Sequence, residues 1–346
     1  MLLGLAGCSG NAAGGFGTAA ANGRSLDQAV PLADPRAHVG PSTATVVDSA
    51  LRPVARGPKP VLPATVVDAQ GTSVTVTDAR RVLALDMSGS LSRIVFELGL
   101  GESLVGRDIS SGFDEIKELP LVTGAGHELS AEAILNLAPT LIITDTSVGP
   151  WDVILQMREA GIPVVIVDSK RDLETVRVLI QQVAAAVGLP EQGVALADRT
   201  EQEVRDMVDR IGQIAPEPGL RMVFLYVRGQ SGIYYMFGSD SGADSLIRGL
   251  GGVDVASEIG WKGMQPVTDE GLIAAEPEVI LVMSKGLESV DGPDGLLEQL
   301  PALANTPAGQ NRRIVDIADS QALSFGPSSA QTLEALAVAI YAPGAA

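Results

Sequence analysis

The chain has 346 residues, which sets an expectation of roughly two domains of about 150 residues each. Its formal net charge of −18 argues against the clustered cations that phosphate-backbone binding needs, so no nucleic-acid partner is expected. No run of about 18 apolar residues is present to span a bilayer, and a single cysteine rules out an intrachain disulfide.

That cysteine, Cys8, ends the tetrapeptide Leu5-Ala6-Gly7-Cys8. The tetrapeptide resembles the lipobox of bacterial lipoproteins, whose signal peptide is cut before the cysteine and whose sulfur then carries diacylglycerol. The resemblance implies that residues 1–8 are the end of such a signal and that Cys8 is a lipid anchor. Met1-Leu2-Leu3 is too short a lead-in and carries no basic segment, so translation is expected to start upstream. Residues 9–60 are rich in Gly, Ala, Pro, Ser and Asp, with no aromatic ring between Phe16 and Phe96. Such a stretch buries too little apolar surface to offset its ordering entropy and reads as a disordered tether. It contains His38, one of only two histidines. ATVVDAQGTSVTVTD, residues 64–78, then gives two alternating runs about Ala69-Gln70-Gly71, a hairpin signal.

Residues 61–188 are expected to form an N-terminal lobe. RVLALD reads as a strand, SLSRIVFELGL as a helix, and AEAILNL and WDVILQMREAG as two more helices around the apolar strands TLIITD and PVVIVD. Alternation of buried strands with helices predicts a parallel sheet covered on both faces. Residues 189–216 are expected to be one connecting helix of about 24 residues, roughly 36 Å long at 1.5 Å per residue. Strand and helix signals resume over 217–346, in RMVFLYV, IYYMFG, GADSLIRGLGG, VILVM, RIVDI and SAQTLEALAVAIY.

An internal repeat organises this pattern. SAEAILNLAPTLIIT, from Ser130, aligns without gaps on TDEGLIAAEPEVILV, from Thr268. Each copy opens with an N-cap hydroxyl residue, carries Glu two positions later (Glu132, Glu270), and leaves the helix at a proline (Pro139, Pro277). The predicted fold is therefore α/β: two doubly wound, Rossmann-like lobes joined by a single long helix, with a ligand cleft between them.

The lipobox, tether, related lobes and connecting helix resemble the helix-backbone substrate-binding proteins of ABC importers, which take up cobalamin, ferric siderophores or haem. Within that family the chain looks most like the HmuT-like haem-binding lipoproteins of actinobacteria. The resemblance implies an iron gripped by a first-lobe histidine and a second-lobe tyrosine, with an arginine two positions on that hydrogen-bonds the phenolic oxygen. His127 in GAGHELS, Tyr226 and Arg228 in FLYVRG fit those places. It also implies that Glu132 and Glu270 meet arginines on the permease, that an ATPase completes the transporter, and that the protein is a monomer and not an enzyme.

The residue chemistry suits these roles. A histidine with a free pKa of about 6.5 offers a lone pair near neutral pH. A phenol of pKa about 10 needs its ionised form favoured, by iron and by a nearby guanidinium. Arg228 lies two residues along a strand from Tyr226 and so shares its face. Gly124 and Gly126 are expected to free the backbone around His127. Tyr234 and Tyr235 face opposite ways, so one of them is a rival ligand or a wall residue. Met283 is a soft reserve ligand or packing, and Trp151 and Trp261 flank the porphyrin or simply pack. Arg107, Lys262 and backbone N–H groups near Ser241-Gly242 are candidate partners for the propionates. A siderophore or cobalamin carrier on the same fold is the alternative. An unrecognised surface enzyme is disfavoured because no nucleotide loop or nucleophile elbow occurs.

Overall fold

The computed structural model describes residues 19–20, 23–124 and 126–344; the lipobox and Cys8 lie outside them. The chain enters through two short strands, β1 (Ala19–Ala20) and β2 (Ser42–Ala44). The antiparallel hairpin of β3 (Ala64–Val67) and β4 (Ser73–Val76) follows where alternation predicts it. The first lobe is built on three parallel strands, β5 (Val82–Leu85), β6 (Leu141–Thr144) and β7 (Val164–Ile166). Every residue in them is buried, which is why these runs are continuously apolar rather than alternating. Helix α1 (Ser90–Val95) and α4 (Val176–Ala186) pack on one face; α2 (Ala131–Asn136) and α3 (Trp151–Glu159) pack on the other.

Helix α5 (Pro190–Gly212) runs 23 residues from Pro at its first position and carries the chain to the second lobe. There the order is β8 (Arg221–Arg228), β9 (Ile233–Phe237), α6 (Ala243–Gly249), β10 (Val253–Asp254), α7 (Val255–Glu258), β11 (Met264–Pro266) and α8 (Asp269–Ala275). β12 (Val279–Met283), α9 (Ser284–Glu288), α10 (Gly292–Gln299), α11 (Pro307–Gln310), β13 (Ile314–Ile317), α12 (Asp319–Ala322) and α13 (Ser329–Tyr341) complete it. The sheet order is β1-β2-β13-β12-β8-β9-β11, with β10 also on β8. Its core is parallel, but β9 pairs antiparallel with both β8 and β11, because a short turn at 229–232 folds the strand straight back.

The repeat is structural as well as sequential. Ser130 Oγ accepts the Ala133 N–H at 3.2 Å and Thr268 Oγ1 accepts the Gly271 N–H at 3.1 Å, capping α2 and α8 alike. Both helices exit through a left-handed residue, Ala138 (φ 42°) or Glu276 (φ 43°), before the proline. An arginine closes each: Arg81 donates to the carbonyls of Leu137 and Ala138, and Arg221 to those of Ala275 and Glu276.

Residues 23–60 are not a disordered tether. β2 extends the second-lobe sheet in parallel with β13, Ser42 opposite Val315 and Ala44 opposite Ile317. Ser42 Oγ donates to the Ala339 carbonyl at 2.8 Å, and buried Arg313 donates to the carbonyls of Pro35 and Ile340. The strap then crosses to the first lobe, where Arg199 on α5 donates to the Arg52 carbonyl and Val54 N–H to the Glu97 carbonyl. Main-chain bonds at a sheet edge and partner arginines far along the chain order this segment, so its want of aromatic rings does not matter.

Behind the cleft, the first lobe buries Asp86, Asp108, Asp145 and Arg171. Arg171 Nη2 reaches Asp145 Oδ2 at 2.6 Å and Asp86 Oδ2 at 3.5 Å. Asp108 accepts from Asp86 N–H at 3.1 Å and from the N–H and Oγ–H of Ser111 at 2.7 and 3.0 Å, which fixes the cleft-side loop carrying Ser110. Burial, then the neighbouring Asp86 charge, pushes the Asp108 carboxyl up to about 7. Raised above its unfolded value of about 3.9, this group contributes stability that is complete below about pH 4 and is lost as pH rises through about 7. Asp108→Asn should therefore lose less thermal stability than the parent between pH 4 and 7.5; parallel melting profiles would contradict the assignment. A chain beginning at residue 61 should melt more than about 5 °C below the longer chain, whereas removal of a mere tether would leave the midpoint unchanged.

Candidate functional site

His127 lies in a loop that closes on itself: Gly124 N–H donates to the Glu128 carbonyl at 2.8 Å, and Leu129 N–H donates to the Gly149 carbonyl at 2.5 Å. The backbone is left-handed at the histidine itself, at φ 64°. A non-glycine residue held there costs on the order of 1 kcal/mol, so the surrounding loop imposes the conformation. The ring is half-buried, with Nδ1 3.5 Å from Ser110 Oγ. Partial burial, then the positive charge of Arg228, holds the imidazole below its ordinary proton affinity. Arg228 belongs to the second lobe, so the two lobes share one electrostatic site.

The second-lobe part of the candidate site is the end of β8. Phe224, Tyr226 and Arg228 alternate onto one face, with Phe224 meeting Phe237 edge-on at 5.4 Å. Tyr226 pairs across the ladder with Tyr235, so these two rings share a face. Met283 follows Val282, the partner of Leu225 on the adjoining strand, and packs with Tyr226 against the same core. The Arg228 guanidinium stands over the Tyr226 ring, 4.5 Å from its centroid. Its Nη2 is 2.9 Å from Asp319 Oδ2 and its Nη1 2.9 Å from the Val227 carbonyl. The expected bond from Arg228 to the phenolic oxygen does not occur among the described residues; the carboxylate of Asp319 takes that place.

Several candidates fall away for tertiary reasons. Tyr234 and Trp261 pack into the core on the opposite face of the second-lobe sheet, and a Cβ on Gly271 would lie 2.9 Å from the Trp261 ring. Trp261 is thus a support for α8, not a wall of the cleft. Arg107 directs its guanidinium at the carbonyls of Lys117, Asp108 and Ser111, pinning its own loop. Lys262 is exposed and pairs with Asp240 at 3.4 Å. The Gly242 N–H is taken by Asp244 Oδ1 at 3.0 Å and the Ser241 N–H by the Gly238 carbonyl at 3.3 Å. Trp151 stays near the histidine loop: it opens α3 two residues after Gly149, half-buried, with Arg158 5.7 Å from its ring centre.

Sequence reasoning missed Ser110 and Asp319. Ser110 also borders a cavity of about 270 Å³ between the lobes, lined by Arg93 and Ser110 on one side, Ser320 and Ser324 on the other, and Asp48 of the strap. Asp319 follows β13 at the carboxyl ends of the parallel strands, where open α/β sheets place ligand loops, and that position is the signal that could have found it. Glu132 and Glu270 are both exposed in the first turns of α2 and α8.

Residues 87–320 match the periplasmic binding protein family. A solved structure of the heme binding protein HmuT is 41% identical, superposes with a TM-score of 0.84, and covers 89% of this chain and 99% of its own. The periplasmic heme-binding protein RhuT from Roseiflexus sp. RS-1, in apo form, is 38% identical with a TM-score of 0.68, over 76% of this chain and 98% of that one. The uncharacterized ABC transporter substrate-binding lipoprotein YvrC of Bacillus subtilis (strain 168) is 24% identical over 290 residues, 81% of this chain and 86% of that protein. HmuT has also been solved with alanine replacing one histidine, one tyrosine or one arginine. Those three are spaced 99 and 2 positions apart, as are His127, Tyr226 and Arg228. By fold, length and sequence the chain belongs to the periplasmic binding protein family, a family of substrate carriers and not of enzymes.

Proposed function

We propose that this protein is the extracytoplasmic, lipid-anchored substrate-binding component of an ABC importer and that its substrate is haem. One observation carries the reading. The Arg228 guanidinium of the second lobe stands over the Tyr226 ring and also lowers the proton affinity of the His127 imidazole on the first lobe, so one cation links the two candidate ligands. His127 and Tyr226 take the two axial positions of the ferric iron. Haem leaves those positions open on opposite faces of its plane, which one ligand per lobe satisfies. The Ser110 hydroxyl at Nδ1 leaves Nε2 of His127 for the metal. Arg228, over the Tyr226 ring, places a cation beside that ligand. Tyr235 and Met283, beside Tyr226, and Trp151, beside the histidine loop, border the porphyrin. The solved relatives named as heme binding proteins support the substrate. A siderophore or cobalamin carrier remains the runner-up, and neither ligand gives His127 and Tyr226 a shared task.

The lobes 61–188 and 217–346 each contribute one ligand, Cys8 carries the lipid, and the monomer delivers its cargo to permease and ATPase subunits. Glu132 and Glu270, matched in the repeat and exposed, set the docking register on the permease; paired surface charges act mostly on orientation and association rate.

Adding hemin to the purified protein should shift the Soret band. His127→Ala and Tyr226→Ala should each change that spectrum and speed haem loss by roughly tenfold or more, in line with lost metal affinity. Spectra identical to the parent in both variants would rule out this ligation. Charge reversal, Glu132→Lys with Glu270→Lys, should abolish uptake by cells while leaving hemin binding intact, and normal uptake would refute the docking role.

A further inference from the structure

The guanidinium of Arg228 has one carboxylate partner among the described residues, and nothing in the haem reading requires it. Asp319 begins α12, beyond β13, yet its Oδ2 lies 2.9 Å from Arg228 Nη2 at the end of β8. Its other oxygen, Oδ1, accepts the Lys285 N–H at 3.0 Å, where α9 leaves β12. One carboxylate therefore ties together the carboxyl ends of three neighbouring parallel strands, β8, β12 and β13. Gly286 makes the space, since a Cβ there would stand 3.4 Å from Arg228 Nη1 and 2.8 Å from the Val227 carbonyl. The Arg228 side chain is a third exposed, and an arginine so open to solvent has about 2 kcal/mol of rotamer entropy to lose before it holds one orientation.

We infer that Asp319 is the positioning residue of this site: it holds the Arg228 guanidinium over the Tyr226 ring, so that the cation is in place when the phenol becomes a metal ligand. The inference rests on the proposed haem function and adds a residue to it. Asp319 touches neither Tyr226 nor His127; it acts through Arg228. Without it the guanidinium is free to leave the Tyr226 ring and swing into the open cleft. The carboxylate also offsets the arginine's charge, so the site presents an oriented pair of opposite charges to the ligand rather than an isolated cation.

The test uses the full chain loaded with hemin, as wild type, Asp319→Asn, Asp319→Ala, Asp319→Glu, Arg228→Ala and the Asp319→Asn/Arg228→Ala double variant. The readouts are the Soret and charge-transfer bands and the rate of haem loss to excess apomyoglobin. Asp319→Asn and Asp319→Ala should each displace the charge-transfer band and release haem roughly tenfold faster, the lower end of what outer partners of metal ligands contribute. Asp319→Glu, which keeps the carboxylate, should recover most of the difference. Because Asp319 acts through Arg228, the double variant should match Arg228→Ala alone. Wild-type spectra and release in Asp319→Asn and Asp319→Ala, or effects that multiply in the double variant, overturn the inference while the haem reading stands. Wild-type protein that takes up no hemin overturns both.

Discussion

His127 and Tyr226 sit on different lobes, so a ligand that needs both needs the lobes held at one separation. Three ties set it. Helix α5, about 34 Å long at 1.5 Å per residue, is the first. The strap 23–60 is the second, running from the edge of the second-lobe sheet across α5 to the first lobe. The third is the segment after β7, where Leu173 N–H donates to Ser245 Oγ at 3.0 Å and Ser245 Oγ–H donates to Glu174 at 2.7 Å. At its start the Arg171 carbonyl packs so close to Gly242 that a Cβ would lie 2.2 Å away, so that glycine serves close lobe contact. Three ties at separate places resist both hinge and twist, and a frame of this kind selects its ligand by a span fixed in advance.

The ties also explain the buried charges. Glu97 is 2% exposed and meets Arg93 of its own lobe at 3.0 Å and Arg199 of α5 at 2.5 Å. The strap's Ala55 carbonyl presses on Gly99, whose φ of 99° and lack of a side chain allow the approach. A buried carboxylate needs partners with good geometry or it destabilises the fold. Here the partners come from the connecting helix, so the same pairs that satisfy Glu97 hold α5 against the first lobe.

What the sequence made legible was local. The hairpin 64–78, the long helix, each copy of the repeat with its cap, and α13 all announce themselves by local period and punctuation. The strap did not, because its order comes from residues far along the chain: Ser42 bonds Ala339, and Arg36 pairs with Glu278. The site divides in the same way. Scarcity pointed to His127 and strand spacing to Tyr226 and Arg228. Register was needed to put Tyr235 beside Tyr226 and Tyr234 on the far face. Asp319 is 91 residues from Arg228, and no local pattern joins them. The bonds of the Arg107 guanidinium to its own loop and the exposed Lys262–Asp240 pair are likewise supplied only by the folded chain.

A protein with a net charge of −18 can still hold an anionic tetrapyrrole, because the field that matters is the one inside the cleft. On the second-lobe side the charges are an arginine and the aspartate paired with it, and on the first-lobe side stands an imidazole whose proton affinity is lowered. Siderophores surround ferric iron with their own hard oxygens and leave a protein little to coordinate, so their carriers recognise the outside of the complex. Haem occupies only four positions in a plane and leaves two exposed along the normal. The proposed site, with one donor from each lobe, a nitrogen from one and an oxygen from the other, would be matched to the second geometry and superfluous to the first. The donor pair also differs in hardness, and the hard phenolate favours ferric over ferrous iron, so the proposed site would select an oxidation state together with a shape.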